Sequence, residues 1–320
     1  MTLESYDICC IGNLEVRETK WLWYPYIPYG KVTIIQGDPG EGKTTLALNI
    51  AAALTRGEVF GSGEKTEAGN VLFQTAEDGY SDTVKPRLLA AGADCSRIMY
   101  VYEAYEPLSM TDERLEEAIQ RVQPKLVILD PLQAYLGANV DMHRANEVRP
   151  VMSRLSQLAQ SYGCAIVLIG HMNKNMGTKS SYRGLGSIDL TAAARSVLIV
   201  AREKKDKQIR VVAQVKSSLA PEGDTVAFRL SEDNGFEYLG EYKADIEDML
   251  MGVSSGNKTM IDSAKELLLT MLADGEKPSI DLYNAAADRN ISPETLRKAK
   301  LKLNVQVVKR NNCWFWKLED

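Results

Sequence analysis

Gly37-Asp38-Pro39-Gly40-Glu41-Gly42-Lys43-Thr44 has the spacing GxxxxGK[ST], set between an apolar β-branched run, KVTIIQ, and an apolar helical run, TTLALNIAAAL. A nucleoside triphosphate needs that order. Glycines let the backbone curl so that successive N–H groups and a helix N-terminus face the phosphates. Lys43 would reach the β- and γ-phosphate oxygens, Thr44 would offer its hydroxyl to Mg²⁺, and Thr45 would close the cradle at the start of the helix. The spacing therefore predicts ATP or GTP binding with Mg²⁺ as the accompanying metal.

Three other apolar runs end in polar residues. Lys125-Leu-Val-Ile-Leu-Asp130-Pro131 stops at a carboxylate suited to the Mg²⁺ shell. Val71-Leu-Phe-Gln-Thr-Ala-Glu77-Asp78 runs into two acids. Hydrolysis needs a carboxylate that orients and deprotonates water, a role assigned to Glu77 with Asp78 as the competitor. Ala165-Ile-Val-Leu-Ile-Gly-His171 ends at an imidazole that could touch the γ-phosphate. Strand ends are where open α/β sheets gather such groups.

Elements that could position these residues alternate along the chain. Strands are predicted at Val32–Gln36, Val71–Gln74, Ile98–Tyr102, Leu126–Leu129, Ala165–Gly170 and Ser196–Ala201. Helices are predicted at Thr44–Leu54, Asp82–Ala91, Asp112–Val122 and Glu147–Tyr162. Continuous apolar strands between helices indicate an α/β fold whose mostly parallel sheet carries helices on both faces. Gln208–Lys216 and Thr225–Leu230 follow with no helix between them, which predicts an antiparallel extension. The expected organisation is a core over residues 1–250, with 1–30 as an aromatic and proline-rich extension, a linker over 251–259 and a small unit over 260–320.

Composition narrows the class. The chain has 320 residues, 45% apolar and 25% charged, which excludes wholesale disorder. No apolar run approaches the ~20 residues of a membrane helix, and MTLESYDICC lacks the basic flank of a secretory signal. Five scattered cysteines without a CxxC pair, and two histidines, argue against a zinc site and for a reduced cytoplasmic setting. The net charge of −5 hides an asymmetry. Leu296–Lys317 holds Arg297, Lys298, Lys300, Lys302, Lys309, Arg310 and Lys317 without an acid.

Taken together, GDPGEGKTTLAL, GNVLFQTAED, LVILDPLQAYLG, VLIGHMNK and YRGLGSIDLTAAARSVLIV resemble the RecA-like ATPase core. The detail is most similar to RepA-like hexameric helicases of plasmids, phages and integrative elements, and more distantly to DnaB. Over residues 20 to 240 the resemblance implies a homo-oligomeric, usually hexameric ring that hydrolyses ATP at subunit boundaries around single-stranded DNA. The loop Met172–Ser187, with Lys174, Lys179 and Arg183 and no acid, lies where such proteins face DNA or a neighbour. Lys216 matches a lysine that in DnaB-like enzymes reaches the next subunit's ATP. Ser218 stands where the partnering arginine is expected, which leaves Arg183, Arg195 and Arg202 as candidates for the trans arginine.

The tail predicts an amphipathic helix at Met260–Leu272, a second at Ile280–Arg289, and a third started by Ser292-Pro293, followed by strands flanking Asn311-Asn312. That order is a winged helix-turn-helix, with Arg297, Lys298 and Lys300 on the recognition helix and Lys309 and Arg310 on the wing. Duplex DNA and protein both remain as its partner. The whole reads as an ATP-driven DNA motor of helicase type. A recombination or repair ATPase, and a nucleotide-switched DNA-binding regulator with little turnover, are the competing readings.

Overall fold

Strands whose side chains are apolar on both sides need cover on both faces, and the chain supplies it. The computed structural model describes residues 10–62, 65, 67–103, 106–138, 140–172, 188–233, 235–244, 260–273, 275–289, 291–310 and 313–318. Two compact units divide the chain, Met1–Met251 and Gly252–Asp320.

In the first unit a small hairpin, β1 (Trp21–Trp23) and β2 (Ile27–Pro28), precedes β3 (Val32–Gly37) and α1 (Lys43–Arg56). There follow β4 (Val71–Thr75), a π-helical turn at Tyr80–Val84 leading into α2 (Lys85–Ala90), β5 (Ile98–Met99), α3 (Glu113–Val122), β6 (Leu126–Asp130), α4 (Ala145–Tyr162) and β7 (Ala165–His171). The unit ends with α5 (Ile188–Ala193), β8 (Ser196–Arg202), β9 (Ile209–Ser217), β10 (Val226–Ser231) and β11 (Gly235–Glu241). Among the described residues nine strands form one sheet in the order β11-β10-β9-β8-β3-β7-β6-β4-β5. From β8 to β5 the neighbours are parallel, and β9, β10 and β11 extend the sheet antiparallel.

The two-residue period of each strand sorts its side chains between two cores. Ile35, Phe73, Leu126, Ile128, Val167 and Ile169 pack with Leu46, Ile50, Leu54 and Leu88 of α1 and α2. Ile34, Leu72, Val127, Leu129, Ile166 and Leu168 pack on the other face with Leu115, Ile119, Val151, Leu155 and Leu190 of α3, α4 and α5. The sheet with helices on both faces is as expected. Two local expectations are corrected. The strand predicted at Ile98–Tyr102 is only Ile98–Met99, and beyond it Gln74 holds the backbone of Val101 with its side chain instead of a ladder. The helix predicted from Asp82 opens two residues earlier as a π turn. The aromatic lead-in is a hairpin whose Trp23 is wholly buried against Tyr26, Phe60 and Tyr238, with Tyr26 donating to the Asp224 carbonyl at 2.5 Å. No helix among the described residues is long and apolar enough to cross a membrane.

The second unit holds α6 (Met260–Leu272), β12 (Lys277–Pro278), α7 (Ser279–Asp288), α8 (Pro293–Lys302), β13 (Gln306–Arg310) and β14 (Cys313–Lys317), its strands ordered β12-β14-β13. Leu267, Leu268, Leu282, Leu296, Ala299 and Trp316 form its core. Ser292 caps α8, its hydroxyl accepting from the Thr295 N–H at 3.2 Å, with Pro293 in the first turn. The linker expected at 251–259 and the turn at Asn311-Asn312 lie outside the described residues.

Candidate active site

Register brings the polar strand ends together. Gly37 at the end of β3 is paired with His171 at the end of β7, and Thr75 at the end of β4 with Asp130 at the end of β6. The loop from Asp38 to Gly42 turns over these ends, with Gly40 at φ 78° and Gly42 at φ 87°, a left-handed backbone that favours glycine. Gly37 is constrained by space. A Cβ there would lie 2.2 Å from the Val200 carbonyl oxygen of β8. Gly42 is the N-cap of α1, so the first N–H groups of that helix open toward the loop.

Lys43 is buried, and its ammonium donates to the carbonyls of Gly37 at 3.0 Å and Asp38 at 2.8 Å. It also meets His171 Nδ1 at 3.4 Å, and His171 Nε2 lies 3.2 Å from Glu77 Oε1. With Lys43 as donor, Nδ1 accepts and the ring proton sits on Nε2, facing Glu77. Glu77 is more than half exposed at the mouth of this row, as an acid meeting solvent water must be. Asp78 points away and takes Arg87 of α2 at 2.8 Å. Burial pulls Lys43 below the ordinary lysine pKa, opposed mainly by Asp130, then Glu41 and Asp38. Burial also pushes the Asp130 carboxyl above its ordinary value, against the hydrogen bond from Thr44.

Thr44 Oγ1 donates to Asp130 Oδ2 at 2.6 Å. A hydroxyl and a carboxylate are hard oxygen donors, so the pair fits Mg²⁺. No cluster of three potential ligands from His, Cys, Asp and Glu occurs among the described residues.

Two features here escaped the sequence reading. Arg202 at the end of β8, expected among the trans candidates, reaches its own loop: Nη2 donates to the Gly40 carbonyl at 3.0 Å and Nε lies 3.7 Å from Glu41. A cavity of about 500 Å³ opens beside the start of α1, lined by Thr45, Asn49, Arg87, Leu230 and Phe236. Its far wall is the β10–β11 hairpin, which the Asn234-Gly235 dipeptide signals in sequence.

Lys216 sits apart from this row. It pairs with Val197 near the start of β8, five residues before Arg202, or about 16 Å of strand from the loop end. Its ammonium donates to the carbonyls of Thr191 at 2.9 Å and Ala192 at 2.6 Å at the end of α5. Burial lowers its pKa, with Arg195 adding to the shift. Arg195 occupies the same end of the sheet and is exposed. Lys174, Lys179 and Arg183 lie outside the described residues.

In the second unit Arg297 donates to the Tyr283 hydroxyl at 3.4 Å, Lys298 pairs with Glu294 at 2.7 Å and Arg310 with Glu276 at 3.0 Å. Lys300 lies over Trp316 and Lys309 over Trp314.

Residues 12–177 match the family model described as an AAA domain. The chain is similar to the DNA repair protein RadA of Mycobacterium tuberculosis (strain CDC 1551 / Oshkosh), 24% identical over 290 residues, covering 86% of this chain and 55% of that protein. It is similar to RadA of Streptococcus pneumoniae (strain ATCC BAA-255 / R6), 24% identical over 230 residues, covering 71% and 49%. The chain thus spans about half the length of the curated relatives it matches. Among solved structures the ATPase domain of G40P superposes with a TM-score of 0.50 at 16% identity, over 67% of this chain and 85% of that one. The likeness shows a RecA-like fold, with a mostly parallel sheet between helices.

Proposed function

The chain belongs to the AAA-domain family, and from that premise we propose that it is an ATP-driven DNA motor of the RepA-like helicase kind, with ATP and Mg²⁺ as its cofactors. The observation that carries the reading is the row Lys43–His171–Glu77 beside the pair Thr44–Asp130, at the carboxyl ends of adjoining parallel strands. Lys43 leaves the loop carbonyls for the β- and γ-phosphates, where its charge offsets theirs. Residues Gly37 to Thr45 cradle the phosphates, and the cavity beside Thr45 and Phe236 has room for ribose and base. Mg²⁺, held by Thr44 and Asp130, supplies charge neutralisation at the phosphates when bound. Glu77 orients the attacking water and takes its proton, and His171 couples that carboxylate to the Lys43 end of the row. Slow hydrolysis by an isolated chain follows if the trans arginine comes from a neighbour: among the described residues Arg202 is held by the Gly40 carbonyl and Arg87, at the cavity wall, by Asp78.

The active form in this reading is a homo-oligomeric ring, with single-stranded DNA against Lys174, Lys179 and Arg183. The domain plan is a motor over 1–250, a linker over 251–259 and a winged helix-turn-helix over 260–320. The three helices and antiparallel strands of the second unit support that last assignment, with duplex DNA as its partner. A second reading, a recombination or repair ATPase that coats single strands, draws support from the similarity to RadA. Unwinding of a forked duplex separates the two. The central test is the ATPase rate with and without single-stranded DNA. Stimulation is expected, and replacing Lys174, Lys179 and Arg183 together by Ala should remove it and flatten the salt dependence of strand binding. An unstimulated rate would remove the motor reading.

A further inference from the structure

Alternation along β14 sends Trp314 and Trp316 to one face of the small sheet, and they meet different surroundings there. Trp316 is 4% exposed, set in the core with Tyr283 edge-on at 5.6 Å. Trp314 is 51% exposed. A half-bare tryptophan forgoes much of the stabilisation its burial would bring, so its place on the hairpin asks for a reason beyond folding.

The neighbouring groups are cations. Lys309 stands directly across the ladder from Trp314, with Nζ 5.3 Å from the ring centroid. Val307 stands across from Trp316, whose ring carries Lys300 of α8 at 4.8 Å. Arg297, one turn earlier on α8, is on the Tyr283 hydroxyl. The hairpin face and α8 thus form one band in which rings alternate with positive charges. The acids at its border, Glu294 and Glu276, are engaged by Lys298 and Arg310. A polyanion with flat rings fits such a band: phosphates on the cations and a base on the indole.

Away from its two ends a blunt duplex stacks each base between its neighbours, so along its length edges and backbone are presented and ring faces are not. An exposed indole gains most from an unstacked base. We infer that Trp314, with Lys309 over its ring, is a base-stacking residue that gives the C-terminal unit a site for single-stranded nucleic acid. The inference deepens the nucleic-acid reading of that unit by naming the unpaired strand and the residue that takes it.

The test uses the full chain without nucleotide, in the background lacking Lys174, Lys179 and Arg183 so that strand binding by the core loop does not mask the signal. An oligothymidylate carrying one 5-iodouracil should cross-link on irradiation to the peptide that contains Trp314. Trp314→Ala should weaken oligothymidylate binding by about 5- to 150-fold, the range for losing one stacked base. Trp314→Phe should recover much of that loss, and neither change should alter the affinity for a blunt duplex. Unchanged oligothymidylate affinity, or adducts only on other peptides, overturns the inference. Equal losses with Ala and Phe, or losses of both single strand and duplex, also overturn it and make Trp314 structural or a duplex contact. If blunt duplex is not bound by the parent chain while Trp314-dependent strand binding persists, this site stands and the duplex reading of the winged helix falls.

Discussion

Lys43 and Glu77 are joined through one imidazole, yet they act on different states of the reaction. Lys43 meets charge already present on a bound triphosphate, whereas Glu77 matters only when water attacks. Lys43→Ala should therefore weaken nucleotide binding by about tenfold or more, as expected for losing a hydrogen bond to a charged group. Glu77→Gln should leave binding intact and lower turnover by about 10²- to 10⁴-fold. Equilibrium binding of a fluorescent ATP analogue and single-turnover hydrolysis separate the two. Near-normal turnover by Glu77→Gln would move the role to Asp78, which would first have to leave Arg87. Most of this row was legible in sequence, because a polar residue that ends an apolar run is anomalous on its face. Arg202 was not. Nothing in SVLIVAR says whether its last residue turns to its own loop or to a neighbour, since that depends on the approach of β8 to β3.

At the level of elements, the site is only as accurate as the strand ends that carry it. β3 is gripped by β7 on one side and β8 on the other, and Gly37 is the point where the loop must leave without a side chain. Gly37→Ala drives a methyl into a backbone oxygen of β8, which no rotamer change relieves. It should lower unfolding free energy by about 1–3 kcal/mol and weaken nucleotide binding together, read from urea midpoints and a titration of the same samples. An unchanged midpoint would mean that β8 yields freely, and the rigid-cradle argument would fail. The parallel strands were readable because burial on both faces leaves them continuously apolar. β11 was less so: the Asn234-Gly235 dipeptide signals the turn, but the strand mixes exposed and half-buried residues and its pairing depends on β10. The lead-in hairpin was equally opaque. Its aromatic residues announce burial without saying against what, and Phe60 and Tyr238 come from distant parts of the chain.

For the whole molecule the open issue is how a site whose described arginines, Arg202 and Arg87, are already held by the Gly40 carbonyl and by Asp78 completes itself. Lys216 and Arg195 share the end of the sheet opposite the phosphate loop, so neither serves the nucleotide of its own chain. In a head-to-tail assembly, where one subunit's face meets a different face of the next, that end is available to a neighbour's site. Lys216 also secures the last carbonyls of α5, so a loss of activity in Lys216→Ala has two explanations: a missing trans contact or a loosened α5. Mixing tells them apart. A Lys43→Ala chain has no working loop and keeps its Lys216, and a Lys216→Ala chain has the reverse. If Lys216 acts across the boundary, the pair combined in equal amounts should regain about a quarter of the wild-type rate, because random head-to-tail assembly makes that share of boundaries complete. Steady-state hydrolysis of the mixture, compared with each variant alone, gives the answer. A rate no greater than the sum of the two separate rates would confine Lys216 to holding α5 in its own chain, and Arg195→Ala mixed in the same way would then be the next candidate for the trans contact.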